Sequence, residues 1–288
     1  MTPPLQIRAL TLEELAIPLG WAKQEGWNPG LSDAAPFWHT DPDGFIGGFI
    51  DYRLVACISA VRYGTAFGFM GFYIVDAPYR GQGYGLQVWQ AALNHLRGVS
   101  SIGLDGVVAQ QDNYRKSGFY MAHRNMRFEG ILPFRQMPCN LRPEEQLVSM
   151  AAVPMDTLLR FDARHFPTPR PLFLDGWLHQ PGHHGLAIMQ GNDVCAYGVV
   201  RPCASGYKIG PLFAARPDQA RHLILALCQN LEDGAPVYLD PPAANTEAVA
   251  LAKTLGMRLV FETARMYKGS SPRLPTHQIF GITTFELG

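Results

Sequence analysis

The chain has 288 residues, with 24 Lys plus Arg against 24 Asp plus Glu, 47% hydrophobic and 17% charged residues. That length suggests about two domains, and the composition supplies core material while excluding a disordered chain, which needs low hydrophobicity and high net charge. Divided at residue 145, the halves carry 12 basic with 13 acidic and 12 basic with 11 acidic residues; neither is a polycation, so nucleic acid is not an expected partner.

Thr11 to Glu14 reads T-x-x-E, a capping box, with Leu12, Leu15, Ala16 and Leu19 at helical spacing behind it. Pro18 should interrupt or kink that helix, and Gly26 ends it. Gly47–Tyr52 and Leu54–Arg62 read as paired strands across a turn at Asp51–Arg53. Phe67–Val75 reads as a strand buried on both faces, because it is nearly continuously apolar; its Phe67, Phe69, Phe72 and Tyr73 are expected in strand core rather than in a ligand box. Arg80-Gly81-Gln82-Gly83-Tyr84-Gly85 follows, then a helix with the stripe Leu86, Trp89, Leu93 and Leu96. Ile102–Val108 is the next strand. Asp112–Ser117 is a helical turn closed by Gly118, and Phe119–Phe128 is strand-like.

Leu132–Arg142, with Pro133, Pro138, Cys139 and Asn140, has little periodicity and reads as a linker. A second domain then begins. Pro154 opens a helix carrying Leu158, Leu159 and Phe161. Leu186–Gln190 and Val194–Arg201 form a hairpin, Tyr207–Phe213 a strand, Asp218–Leu231 a helix and Val237–Asp240 a strand. Thr246–Leu255 is a helix capped by Gly256, and Gln278–Leu287 alternates like a last strand. Both halves thus run strand, turn, helix, strand, helix, glycine. Gly118 lies 38 residues after Arg80 and Gly256 lies 40 after Arg216, which predicts a duplicated fold. The domains are expected at 1–140 and 146–288.

The strand ending at Val75, the loop and the helix behind it carry the chemistry. Glycines at 81, 83 and 85 free main-chain N–H groups to approach an anion, and the helix N-terminus adds orphan donors and partial positive charge. The combination predicts a pyrophosphate site. A Walker loop is excluded because Leu86 follows Gly85, and a G-x-G-x-x-G fingerprint because residue 86 is not glycine.

Val75-Asp-Ala-Pro-Tyr-Arg-Gly-Gln-Gly-Tyr-Gly85 resembles the acetyl-CoA motif of the GNAT N-acetyltransferase superfamily, and Asn113-Tyr-Arg-Lys-Ser-Gly-Phe119, 33 residues after Arg80, resembles its second signature. The match spans roughly residues 45–128. Gly206-Tyr-Lys-Ile-Gly-Pro-Leu-Phe213, Arg265-Met-Tyr267 and Phe285-Glu-Leu-Gly288 are similar to a tandem subfamily in which a GNAT-like domain follows the catalytic one. The resemblance implies two α/β domains, each a mixed sheet flanked by helices, and acetyl transfer from acetyl-CoA to a primary amine by direct attack.

It implies that the strand edge at Tyr73, Ile74 and Val75 pairs with the pantetheine arm and that Arg80, Gly81, Gln82, Gly83, Tyr84 and Gly85 hold the pyrophosphate. Asn113 would contact the cofactor arm and Tyr114 would protonate the leaving thiolate. A main-chain N–H near Ile74 would meet the carbonyl oxygen. Asp33, Asp105 or a water chain would take the amine proton. Trp27–Asp33 sits where the family places its acceptor-covering helices. The equivalent turn in the second half, Phe213-Ala-Ala-Arg-Pro-Asp-Gln-Ala-Arg221, has no glycine, and Pro217 removes one N–H; that half is expected to bind no acetyl-CoA.

Cys57, Cys139, Cys195, Cys203 and Cys228 form no C-x-x-C pair, so reduced thiols are expected and no metal site. His183-His184 reads as a polar hairpin loop. No signal peptide and no run of 18 apolar residues is present, and a cytoplasmic protein is expected. The expected partner is a small-molecule amine or peptide, with no membrane, and a homodimer stays open. A non-catalytic acyl-CoA sensor and a protein lysine or N-terminal acetyltransferase are the alternatives.

Overall fold

The structure, a computed structural model, describes residues 4–132 and 141–288. The linker positions Pro133, Pro138, Cys139 and Asn140 lie outside them. In chain order the elements are β1 (Gln6–Ala9), α1 (Ala16–Gln24), α2 (Ala34–Thr40), β2 (Phe45–Ile50), β3 (Arg53–Tyr63), β4 (Phe67–Val75), α3 (Tyr84–His95), β5 (Ser101–Val107), α4 (Gln111–Lys116) and β6 (Tyr120–Gly130). There follow β7 (Glu145–Ser149), α5 (Met155–Asp162), α6 (Pro171–Leu178), β8 (His184–Gln190), β9 (Asp193–Pro202), β10 (Tyr207–Ala214), α7 (Pro217–Cys228), β11 (Val237–Leu239), α8 (Thr246–Thr254), β12 (Arg258–Gly269) and β13 (Ile279–Gly281).

Local chemistry sets several of these. The capping box forms: Glu14 N donates to Thr11 Oγ1 at 3.3 Å and Thr11 N to Glu14 Oε2 at 2.9 Å. Pro18 neither breaks nor kinks the helix. The α-helical part begins at Ala16, so the missing N–H of Pro18 falls in the first turn, where it has no intrahelical partner to lose. The β2–β3 turn puts Asp51 and Tyr52 at φ 46 and 64, the left-handed pair of a two-residue hairpin.

The described strands join one mixed sheet in the order β1-β2-β3-β4-β5-β12-β6-β11-β10-β9-β8-β7, with β13 beside β10. β4–β5 and β10–β11 are parallel, and their neighbours are antiparallel. The two halves repeat the same path, from β4 through α3, β5 and α4 to Gly118, and from β10 through α7, β11 and α8 to Gly256. Gly118 and Gly256 both take left-handed φ, 88 and 77. After these glycines the halves trade strands: β6 leaves the first half to pair with β11, and β12 leaves the second to pair with β5. β6 and β12 also pair with each other.

Two expectations need correcting here. β12 was not expected as a strand, because charged residues interrupt its apolar pattern; inside the sheet those charges are paired, Arg265 to Asp105 above all. The last strand does not run from Gln278 to Leu287. Only Ile279–Gly281 pairs, and residues 282–288 continue as irregular chain buried between the halves.

Both sheet faces are covered. α3 closes one face of the first half over Ile58, Met70 and Leu104, and α7 with α8 closes that of the second over Ile209, Leu212 and Leu239. The opposite face carries one core shared by both halves. In it Phe37 of α2 stacks on Trp177 of α6 with centroids 6.0 Å apart. Burying a side chain of this size contributes roughly 1.5–3 kcal/mol, so this shared core ties the halves together as the strand trade does.

Candidate active site

Gly83 is the N-cap of α3 at φ 85, and Gly81 lies at φ 75. A Cβ at either would meet nothing within 4 Å, so glycine is needed there for backbone conformation, not for space. Gly85 is the reverse case. A Cβ there would lie 2.8 Å from the Tyr73 hydroxyl and 3.0 Å from Val75 Cγ2, and its absence lets α3 close on β4. The mouth of α3 therefore presents unobstructed amides. Arg80 donates from Nε to Val75 O at 2.9 Å and pairs through its terminal nitrogen with Glu25. Gln82 Nε2 donates to Pro78 O at 3.0 Å. The Tyr84 ring is buried against Tyr79, leaving only its main chain at the mouth.

Beside this mouth the sheet splits. β4 and β5 pair from Phe67↔Ser101 to Met70↔Leu104 and then diverge. At the split β4 carries a bulge: Cys57 faces Ile74 and Ser59 faces Gly71, so Phe72 and Tyr73 both lie opposite Ile58. Phe72 takes φ 46 there, an aromatic residue in the left-handed region, at a cost of roughly 1–2 kcal/mol. Cys57 Sγ donates to Phe72 O at 3.2 Å behind it. The wedge between the strands is a cavity of about 420 Å³. The edge of β4 from Gly71 to Val75 has no β5 partner, so an extended chain can be added there.

Of the residues read from the sequence, Tyr73, Ile74, Val75, Arg80, Asp105 and Tyr114 line this cavity together. Tyr114 stacks on Trp89, centroids 5.5 Å apart, and lies against Gly106. Burial, with Tyr73 adding, holds its hydroxyl above the usual phenol range, so it keeps its proton at neutral pH. Asn113 is exposed and donates to Gln110 Oε1 at 2.7 Å; it does not line the cavity, although Gln110 does.

The two carboxylates named from the sequence are already engaged. Asp33 is 1% exposed, accepts from Arg201 at 2.9 and 3.4 Å and from Gly30 N at 2.9 Å, and lies off the cavity. Its bonds to Arg201 clamp the two halves together. The rest of Trp27–Asp33 serves the same end: Asn28 bonds Ser205, and Arg127 and Lys208 both donate to Trp27 O, at 2.7 and 3.1 Å. Only Trp27 of this stretch faces the cavity. Asp105 does face it, yet it accepts from Arg265 at 2.8 and 2.6 Å and from Asn125 at 2.8 Å. Burial pushes its carboxyl up, against the pull of Arg265 and Asn125. His183 belongs to the clamp rather than to a polar loop. Its Nδ1 bonds Trp177 O at 2.7 Å, and its Nε2 lies 3.9 Å from Asp33. Burial, then Arg201, lowers its pKa to about 4.

Three cavity-lining residues that sequence reasoning missed share one property. Trp89 Nε1, Thr263 Oγ1 and Glu286 Oε1 are buried without a hydrogen-bond partner. Thr263 and Glu286 come from the second half, through the traded strand and the buried last segment. The stretch Phe285–Gly288 was visible in the sequence, but nothing local to it said that it lies against Gly71.

The corresponding helix mouth in the second half is filled by the protein itself. Pro217 is the first residue of α7. Arg216 and Gln219 both donate to Glu145 Oε1, at 2.8 and 2.7 Å, and Arg216 also bonds Asp218. A carboxylate of β7 thus occupies the region where an anion would sit.

A strand–helix–strand–helix unit built twice, with a glycine helix mouth beside a sheet split in the first copy, defines a tandem α/β scaffold. Profiles of the acetyltransferase (GNAT) family and of an acetyltransferase (GNAT) domain match residues 11–123 and 158–281. The holothin acyltransferase of Pseudoalteromonas sp. (strain SANK 73390) is 32% identical over 278 residues, 96% of this chain and 92% of that protein. A putative acetyltransferase from Pyrococcus horikoshii superposes with a TM-score of 0.81 at 23% identity, covering 99% of this chain and 96% of that one. A tandem GNAT protein from the clavulanic acid biosynthesis pathway superposes at 0.65 with 10% identity, covering 94% and 100%. These two likenesses speak to fold. The chain belongs to the GNAT acetyltransferase family and is a tandem GNAT acyltransferase. Among its described residues no helix is long and apolar enough to cross a membrane.

Proposed function

We propose that the chain transfers acetyl from acetyl-CoA to a primary amine of a small molecule by direct attack, using the site in its first half. The observation that carries this is the unpartnered β4 edge running from the cavity to the open amides of α3. Gly81 and Gly83 give the loop its left-handed turns at an open helix mouth, where a diphosphate can sit, and the edge from Val75 back to Gly71 can take an extended arm. Tyr114, protonated and facing the cavity, would return a proton to the departing thiolate. The second half would hold no acetyl-CoA, because Glu145 fills its helix mouth.

A small acceptor fits better than a protein substrate, because Phe261, Phe285 and Glu286 of the second half line the cavity together with β4. The likeness to a holothin acyltransferase supports acyl transfer as the reaction. The second reading is a non-catalytic acyl-CoA module. It is favoured by the locking of Asp33 and Asp105 in ion pairs. Calorimetry with acetyl-CoA, followed by free-thiol release over a panel of holothin, aniline, benzylamine, tryptamine and a free tripeptide, separates them. Binding with thiol release on a small amine supports transfer. Binding without release across the panel supports the module, and turnover of the tripeptide alone favours protein acetylation.

A further inference from the structure

One carboxylate residue lining the cavity comes from outside the first half. Glu286 is 3% exposed, lines the cavity, and leaves Oε1 without a partner. Its segment is fixed on every side. Ile282 N donates to Asp240 O at 3.0 Å, Leu287 N to Thr284 Oγ1 at 2.9 Å, and the Tyr63 hydroxyl to Leu287 O at 3.0 Å. Phe285 lies under the Arg127 guanidinium at 4.6 Å. Gly71 of β4 lies so close that a Cβ there would overlap the Glu286 main chain.

A buried polar atom left without a partner is costly, and three residues that line this one cavity each carry one: a donor on Trp89, a hydroxyl on Thr263 and a carboxyl oxygen on Glu286. Such convergence marks a place where a ligand completes the bonding. Position along β4 says which part of the ligand. The α3 mouth follows Val75, and Glu286 sits at Gly71 beside the Phe72 bulge. The two lie at opposite ends of the unpartnered edge, as diphosphate and acyl group do in an acyl-CoA. The other carboxylates near the cavity are taken: Asp105 by Arg265 and Asn125, Glu25 by Arg80.

We propose that Glu286 is the catalytic base, so that the half without a cofactor site supplies the group that takes the acceptor's proton. This rests on the amine-acylation reading above. The amine nitrogen attacks the thioester carbonyl carbon and forms the N–C bond. One nitrogen proton passes to Glu286 Oε1. The C–S bond then breaks, and the sulfur takes a proton from Tyr114, which regains one from Glu286 through solvent. An amine and a thioester become an amide and a thiol, with no other reactant. The charged groups facing Glu286 are Lys208 on β10, Arg127 on β6, Arg201 on β9 and Asp33 before α2. Arg80, Asp105, Tyr73, Tyr114 and Glu25 line the same cavity. Burial pushes the Glu286 carboxyl up, with Asp33 adding and Lys208, Arg127 and Arg201 opposing. That shift brings a carboxyl toward neutral pH, where a general base works best.

The test compares wild type with Glu286→Gln and Glu286→Asp. Acetyl-CoA affinity is read by calorimetry, and kcat/KM against pH is read with the panel amine that turns over. Glu286→Gln should bind acetyl-CoA within about threefold of wild type, lose roughly 10²–10⁴-fold in kcat, and lose the acidic limb of the profile. Glu286→Asp should retain the limb at reduced rate. A Glu286→Gln enzyme that keeps that limb and turns over within a few-fold of wild type overturns the proposal. Wild type that releases no thiol on any panel amine overturns the amine-acylation reading instead. The base assignment falls with that reading. If Glu286→Gln fails to fold, the pH profile of Glu286→Asp and the ¹³C titration of the Glu286 carboxyl in the active wild type decide. A midpoint clearly above that of free glutamate supports the base; one at or below it refutes it.

Discussion

Asp33→Ala distinguishes a clamp from a catalytic base. In the native protein Arg201 is 1% exposed and lies 4.5 Å above the Trp177 ring. Its Nη1 already lacks a partner, and Asp33 supplies the bonds to Nε and Nη2. Removing the carboxylate leaves a buried guanidinium without its counter-ion and orphans Gly30 N, which costs about 3–5 kcal/mol. At roughly 2–4 °C per kcal/mol for a protein of this size class, Tm should fall on the order of 10 °C by scanning calorimetry. The double variant Asp33→Ala/Arg201→Met removes both charges and should recover part of the loss. Measured well below its lowered Tm, the single variant should keep kcat within a few-fold. A Tm drop under ~2 °C would show that the pair contributes little to folding. A collapse of kcat at unchanged Tm would restore Asp33 to the chemistry.

Gly83→Asp places a carboxylate at the α3 mouth and a side chain at φ 85; acetyl-CoA binding by calorimetry should disappear, and retained affinity would remove the diphosphate site from this loop. Tyr114→Phe keeps the ring stacked on Trp89 and removes only the proton, so kcat should fall about 10–1000-fold at unchanged acetyl-CoA affinity; full turnover would hand the acid role to water. His183 and His123 are both depressed to about 4, chiefly by burial. Between about pH 6.5 and 4 the unfolded chain therefore binds more protons, and stability falls on acidification by up to about 1.4 kcal/mol per pH unit for each. Tm should drop across that window, less steeply in His183→Gln, and equal slopes in the two proteins would show that His183 does not carry its share.

What could be read from the sequence was local. The capping box at Thr11, the glycines at 81, 83 and 85, and Gly118 and Gly256 closing their helices are short-range backbone requirements, so single residues announce them. The duplication was legible for the same reason. The ion pairs of Asp33 and Asp105 were not legible because a carboxylate near a motif reads alike whether it is free or paired, and their partners, Arg201 and Arg265, lie 168 and 160 residues away. β12 was hidden because a strand at the centre of a sheet may carry buried Arg once an acid on the next strand answers it. Glu286 was quoted within a similarity and left without a role, because its meaning comes from contact with Gly71 and not from its neighbours in sequence.

The trade of β6 for β12 sets the order in which the molecule can come into being. When synthesis has passed residue 130, β5 still lacks the strand that will cover it, since Ser101–Val107 pairs with residues 263–269. Until the last tenth or so of the chain emerges, the nascent first half displays a raw strand edge, the kind of surface that invites wrong pairings. Closure is long-range and therefore slow. It also brings the 282–288 segment into place beside Gly71.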